Sequence, residues 1–187
     1  NRGTVTQPFF TLNKAWTVIV AGDTVYLRGG TYKYISTQYL INKKGTTTNT
    51  IKIWAFPGEI PVITRDATNG FKDIWQSGIC FTGDYFHWKG LEITGYTQLD
   101  SKVYTGFRIS DSNYNTFEKI NSHHNGHGCT ISGKSNGNLV LNCDFHFNQD
   151  PLTVPKYEDA DGLEICYIPP GMTNSIRGCR FWWNADD

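Results

Sequence analysis

A glycine followed by alternating apolar residues recurs four times in this chain of 187 residues. The four copies are Gly78-Ile79-Cys80-Phe81, Gly106-Phe107-Arg108-Ile109, Gly128-Cys129-Thr130-Ile131 and Gly162-Leu163-Glu164-Ile165. Alternation with a period of two is typical of a strand with one buried face. A repeat of about 20 to 35 residues that holds short strands predicts a solenoid, in which each coil stacks on the next.

A second strand follows each of the last three copies, and its residues align in columns. The aligned sets are Phe117, Val140 and Ile176; Ile120, Cys143 and Cys179; Ser122, Phe145 and Phe181; His124, Phe147 and Trp183; and Asn125, Asn148 and Asn184. We expect the asparagines to form an interior ladder in which each amide bonds the next, because buried amides need such partners. We also expect His124 to point inward with Phe147 and Trp183.

The remaining segments fit one all-β solenoid domain over residues 1–187. Residues 11–20 predict a short helix that covers the open end of the first coil, where a strand edge would otherwise face water. Residues 24–28 predict the first strand, and residues 151–161 predict an inserted loop. The chain stops where the next strand-starting glycine would stand, so we expect it to be the N-terminal portion of a longer solenoid.

Charge composition excludes some partners. Lys plus Arg and Asp plus Glu each number 17, which gives a formal net charge of zero. Nucleic acids and anionic membranes usually bind proteins with a basic excess, so neither is expected as a partner. No apolar run approaches the length of a membrane span. A neutral balance still allows an acidic sugar polymer held by local charges or by a bound cation, and the 14% aromatic content suits sugar stacking and a β core equally.

Acidic residues gather in one column of the repeat. His127 and Asp161 each stand directly before a strand-starting glycine, Asp187 would hold the same place in the next coil, and Asp186 is beside it. Two carboxylates about 5 Å apart repel each other, and a cation between them relieves the repulsion. Calcium accepts several hard oxygen ligands in irregular geometry. The alternative is that these are solvated turn residues, since Asp is common beside Gly in turns.

Two acidic motifs carry a resemblance to a known family. Ala160-Asp161-Gly162-Leu163, followed by Asn184-Ala185-Asp186-Asp187, resembles the calcium-site signature of the family-nine polysaccharide lyases. Residues 21–32 also resemble the opening of that family, although similar openings occur in other β-helix proteins. The resemblance implies a secreted, periplasmic or cell-surface monomer with a right-handed parallel β-helix fold. It also implies a calcium-dependent enzyme that cleaves pectate or rhamnogalacturonan, acidic plant polysaccharides, by β-elimination.

The resemblance implies site residues only in part. It assigns Asp161, Asp186 and Asp187 as calcium ligands. The catalytic base of the family is a lysine on a later coil, beyond residue 187, so no catalytic residue is assigned in this chain and we expect the isolated chain to have little activity. Arg108 and Lys134 are candidates for binding sugar carboxylates.

Two other functions remain open. Gly126-His127-Gly128 is similar to a motif of the polygalacturonases, which are β-helix hydrolases, but their paired Asp precedes this motif whereas here it follows. A sugar-binding solenoid without catalysis would lack a tight calcium site. His123, His124 and His127 raise the further possibility of a transition-metal site, although core or surface histidines are the more common outcome.

Overall fold

A computed structural model describes residues 2–66, 68 and 77–186 of the chain. It contains one helix, α1 (Leu12–Val18), and 17 strands arranged in three sheets in which all strands pair in parallel. The first sheet consists of β1 (Thr24–Leu27), β4 (Ile51–Ala55), β7 (Phe86–Lys89), β10 (Thr116–Glu118), β13 (Leu139–Leu141) and β16 (Ser175–Arg177). The second consists of β2 (Gly30–Tyr34), β5 (Pro61–Arg65), β8 (Glu92–Thr94), β11 (Asn121–His123), β14 (Asp144–His146) and β17 (Arg180–Trp182). The third consists of β3 (Gln38–Lys44), β6 (Ser77–Asp84), β9 (Thr105–Ser110), β12 (His127–Ser132) and β15 (Leu163–Cys166).

Successive strands join different sheets, and every third strand returns to the same one. The chain therefore winds as a parallel β-helix, which confirms the predicted all-β solenoid. Its register confirms the predicted columns: Cys129 pairs with both Phe107 and Leu163 in the third sheet. In the first sheet, Val140 pairs with both Phe117 and Ile176.

The predicted asparagine ladder is present at the turn between the second and third sheets. The side-chain amide of Asn148 donates to Oδ1 of Asn184 at 2.9 Å, and the backbone N–H of Asn125 donates to Oδ1 of Asn148 at 3.1 Å. The ladder also explains the repeated glycine, because a Cβ at Gly128 would lie 2.8 Å from Nδ2 of Asn148. At Gly162 a Cβ would lie 2.7 Å from Nδ2 of Asn184, again closer than a side chain tolerates.

A second ladder, which was not predicted from the sequence, lies at the turn between the third and first sheets. The amide of Asn115 donates to Oδ1 of Asn138 at 2.9 Å, and the amide of Asn138 donates to Oδ1 of Asn174 at 2.8 Å. Two ladders thus give the buried turn backbone its hydrogen-bond partners along the helix axis.

The predicted inward position of His124 is wrong. The side chain is exposed, and the residue has a φ of 52° in the turn that follows β11. Phe147 and Trp183 share this conformation, with φ of 53° at each. A residue with left-handed backbone conformation breaks the alternation of inward and outward side chains along a strand. These three rings therefore stack on the outside of the β-helix instead of inside it. Their centroids are 5.0 Å and 4.7 Å apart.

Helix α1 covers the first coil as predicted, with the side chain of Thr11 accepting a hydrogen bond from the backbone N–H of Lys14 at its start. Trp16 is buried against the end of the core, where its ring stacks on Phe86 at 5.2 Å and its indole N–H donates to the Ile41 carbonyl. The apolar face of the helix therefore shields the terminal coil from water. Within the described residues, no helix has the length and apolarity needed to cross a membrane.

Candidate functional site

The acidic residues meet where the chain leaves the second sheet and enters the third. His127 begins β12, and Asp161 stands two positions before β15 in the next coil. Backbone hydrogen bonds fix the two coils against each other: the N–H of Gly128 donates to the Asp161 carbonyl at 2.9 Å. The predicted neighbouring positions of His127 and Asp161 in one column are therefore present.

A direct contact links these two residues. The backbone N–H of Asp161 donates to Nδ1 of His127 at 3.2 Å, and the Asp161 Oδ2 lies 3.7 Å from the same nitrogen. Because Nδ1 of His127 accepts this hydrogen bond, it carries no proton, and the neutral imidazole is protonated on Nε2. The His127 side chain is only 13% exposed, so it supports the acidic edge from within the turn.

Glu164 joins the cluster from the strand. One imidazole nitrogen of His127 and one carboxylate oxygen each of Asp161 and Glu164 all lie within 4.8 Å of one another. The repeat pattern predicts an outward position for Glu164, but this residue was not among the predicted site residues. The sequence feature that could have identified Glu164 is its position two residues after Gly162. Strand alternation places that position on the outer face, close to Asp161.

Asp186 approaches from the following coil. Asp161 and Asp186 line one cavity of about 180 Å³, together with Gly162, Leu163, Phe181, Trp182, Trp183 and Asn184. The backbone N–H of Asp186 donates to the Ala160 carbonyl at 3.4 Å, which holds the two acidic segments side by side. Asp187, the third predicted ligand, lies outside the described residues.

Burial and like charge govern the electrostatics of this edge. Burial raises the pKa of Asp161 above its ordinary value; His127 opposes the shift, whereas Glu164 and Asp186 add to it. Burial lowers the pKa of His127 despite the attraction of Glu164 and Asp161. The cluster therefore concentrates negative charge that a cation would neutralise. The carboxylates of Asp161 and Glu164 suit a hard cation such as calcium, whereas the imidazole nitrogen of His127 is a poor ligand for it.

The two predicted sugar-binding residues lie at different places. Arg108 faces outward from β9, with Thr130 beside it and Glu164 one coil further, and its Nε donates to the Ser77 hydroxyl at 3.2 Å. It is near enough to the acidic edge to lower the pKa of His127. Lys134 follows the opposite end of β12, where its backbone N–H donates to Asp111, so the structure does not bring it to the cluster.

Known proteins are similar to this chain in amino-acid sequence. The chain is 32% identical to pectate lyase PEL9 of Emericella nidulans over 99% of its own length and 45% of that protein. It is 32% identical to pectate lyase L of Paenibacillus polymyxa over 94% of its length and 39% of that protein. The chain thus spans less than half of the curated relatives it matches.

Solved structures agree with the sequence relatives. The pectate lyase Pel9A matches with a TM-score of 0.75 and 27% identity over 98% of this chain and 45% of that one. A rhamnogalacturonan lyase matches with a TM-score of 0.75 and 26% identity over 98% of this chain and 49% of that one. The family model for the Pel9A-like, right-handed β-helix region matches residues 1–187, which confirms the handedness expected from the sequence. With its coils in parallel register and its acidic edge built on the strand-starting glycine, the chain belongs to this Pel9A-like family.

Proposed function

We propose that this chain is part of a calcium-dependent lyase that cleaves an acidic pectic polymer, polygalacturonate or rhamnogalacturonan, by β-elimination. The observation that carries the proposal is the position of Asp161, which lies beside Glu164 in one cluster and lines one cavity with Asp186. The names of the relatives, pectate lyase and rhamnogalacturonan lyase, support the same reaction class.

The donor set fits the proposed cofactor. Asp161, Asp186 and Asp187 are the proposed ligands, and Glu164 adds a fourth carboxylate within reach of Asp161. Carboxylate oxygens are the ligands that calcium prefers, and their mutual repulsion leaves them poorly stabilised without a cation. This explains how a surface rich in Asp can attract a polymer that is itself acidic.

Each group at the edge has a role in the reaction. Calcium, when bound, supplies positive charge to a sugar carboxylate and so stabilises the anion that forms as the neighbouring carbon loses its proton. Asp161 and Glu164 fix the position of that charge, and His127 holds Asp161 in place through the backbone contact. Arg108, two coils from Glu164 on the same sheet, is the proposed partner for a second sugar carboxylate. No residue of this chain is assigned as the base, which we expect to be a lysine outside it.

The proposed substrate also suggests where the protein acts and in which oligomeric state. A polymer of plant cell walls does not cross a membrane, so we propose that the protein acts outside the cytoplasm, as a secreted, periplasmic or cell-surface monomer. Neither the strand order nor the acidic edge requires a second copy of the chain to complete the described part of the site.

A spectroscopic assay tests the proposal. Elimination creates a carbon–carbon double bond conjugated to a carboxylate, and ultraviolet absorbance should rise when the full-length protein meets polygalacturonate or rhamnogalacturonan. A chelator should abolish the rise, and added calcium should restore it. New reducing ends without absorbance would instead support the hydrolase suggested by Gly126-His127-Gly128.

A further inference from the structure

The outer face of the first sheet carries a second group of aromatic and basic side chains. Tyr26, Trp54 and Lys89 are neighbours in register on β1, β4 and β7. Lys52 and His87 are neighbours in the adjacent outward row. We call Tyr26, Lys52, Trp54, His87 and Lys89 the Trp54 surface. None of these residues contributes to the acidic edge.

Trp54 is at the centre of this surface. The ammonium nitrogen of Lys52 lies over its ring at 5.2 Å from the centroid, and that of Lys89 lies over it at 5.8 Å. Tyr26 and His87 meet the indole edge to face, at 6.3 Å and 5.3 Å. The ring therefore contacts two cations and has an aromatic neighbour on each side, and Tyr26 is 47% exposed beside it.

The charges on this surface do not cancel. The Lys89 ammonium pairs with Glu118 at 2.9 Å, and His87 also contacts Glu118, at 3.0 Å. Lys52, by contrast, has no carboxylate within 4.0 Å among the described residues. The ammonium group of a half-buried lysine that has no carboxylate partner and contacts an aromatic ring can bind an anionic group.

We propose that the Trp54 surface binds a uronic acid unit of an acidic polysaccharide without calcium. The apolar C–H face of a pyranose ring packs on an aromatic ring, and the sugar carboxylate accepts hydrogen bonds from Lys52 and Lys89. The choice of polymer rests on the proposed function; the binding chemistry does not. A neutral sugar would leave Lys52 without an anion and would bind less tightly.

The Trp54 surface is separate from the acidic edge, both along the axis and around the β-helix. Trp54 lies on β4, four strand steps along the first sheet from β16, the strand that follows the acidic edge. At a strand spacing of about 4.8 Å, this corresponds to roughly 19 Å along the helix axis. The Trp54 surface lies on the first sheet, whereas the acidic edge lies between the second and third sheets, so the two sites are on different faces of the β-helix and contact the polymer independently.

Binding measured in a chelator tests the surface separately from the acidic edge. In affinity electrophoresis with excess EDTA, polygalacturonate in the gel should retard the migration of the chain. Lys52→Glu should weaken this binding by at least about tenfold, the loss expected from one charge-assisted hydrogen bond and its replacement by repulsion. The matched control is Lys33→Glu, which makes the same charge change at an exposed position on β2 of the second sheet. Methyl-esterified polygalacturonate, which lacks the carboxylates, should bind far less.

Trp54→Ala provides a second variant, with its fold checked by circular dichroism, and it should lose binding to the same polymer. Equal effects of Lys52→Glu and Lys33→Glu, or no binding of polygalacturonate in EDTA, would overturn the proposal. Neither result depends on lyase activity. Conversely, failure of the calcium-dependent absorbance assay would leave chelator-resistant binding intact, so the two proposals fail independently.

Discussion

The backbone N–H of Asp161 donates to Nδ1 of His127 across two adjacent coils, at 3.2 Å. The contact ties the position of the Asp161 carboxylate to a nearly buried imidazole that is not itself a suitable calcium ligand. In the proposed calcium site, His127 is therefore a positioning residue and Asp161 is the proposed ligand.

His127→Ala should weaken calcium binding by about tenfold, because groups that orient a metal ligand typically have effects of this size. His127→Gln should recover part of the affinity, since its amide oxygen can accept the Asp161 N–H. Isothermal titration with calcium measures both variants. His87→Ala removes a half-buried histidine of the first sheet and should leave the affinity unchanged. An unaltered affinity in His127→Ala would show that the contact does not position Asp161.

Asp161→Asn should nearly abolish calcium binding while the fold persists. The substitution removes the charge at the centre of the cluster but keeps the size of a side chain that is only partly buried. Asp100→Asn, in an exposed loop, serves as the matched control. Calcium titration of both variants, with circular dichroism spectra alongside, separates loss of the site from loss of structure. Wild-type affinity in Asp161→Asn would remove the metal from this edge.

Stability should fall in acid because of the stacked histidines on the second sheet. The rings of His123 and His146 lie 4.7 Å apart, and burial lowers the pKa of each below the ordinary 6.5. Between the lowered pKa and 6.5 the unfolded chain binds more protons, so the free energy of unfolding decreases as pH falls through that window. His146→Phe keeps a ring against Trp182 and removes one of these titrations. The loss of melting temperature between pH 7 and pH 5 should be smaller in this variant, and an unchanged loss would contradict the assignment.

Phe145→Asp should destabilise the β-helix by at least about 4 kcal/mol, since it removes a buried ring and buries a charge. Phe145 is 1% exposed and stacks on Phe181 of the next coil at 5.4 Å. Phe10→Asp makes the same change at a side chain that is 89% exposed and should cost little. Chemical denaturation compares the two. Similar stability in both variants would contradict the inward column that contains Ser122, Phe145 and Phe181.

Repetition made most of the fold predictable. Glycine and asparagine recur at fixed places because the ladder amide fills the space that a Cβ at Gly128 or Gly162 would need. The second ladder left the same signal: the intervals from Asn115 to Asn138 and on to Asn174 equal those from Asn125 to Asn148 and on to Asn184. The predicted columns begin only at the strand after each of these asparagines, so the second ladder was not among them.

Other features of the structure depend on local backbone conformation and on how far a side chain extends from its strand. The alternation of a strand predicted His124 as inward, but a left-handed turn residue reverses that expectation and does not show in the residue type. The repeat pattern placed Asp161 in the column beside the strand-starting glycine, and the family resemblance added Asp186 next to it as a predicted ligand. Glu164 was missed although the repeat pattern predicts its outward position, because its carboxylate reaches the acidic edge from the strand and not from the column beside the glycine. Arg108 and Lys134 are separated because Arg108 lies within β9, whereas Lys134 follows the C-terminal end of β12.

The mass of the product tests the central claim most directly. Full-length protein should be incubated with polygalacturonate in calcium and, separately, in excess chelator, and the oligosaccharides analysed by mass spectrometry. Elimination leaves one new end lighter by one water than the corresponding hydrolysis product. We predict these unsaturated oligosaccharides in calcium, and none in chelator or in Asp161→Asn. Saturated oligosaccharides of the hydrolytic mass, or unsaturated ones that form equally well in chelator, would contradict a calcium-dependent lyase built on this acidic edge.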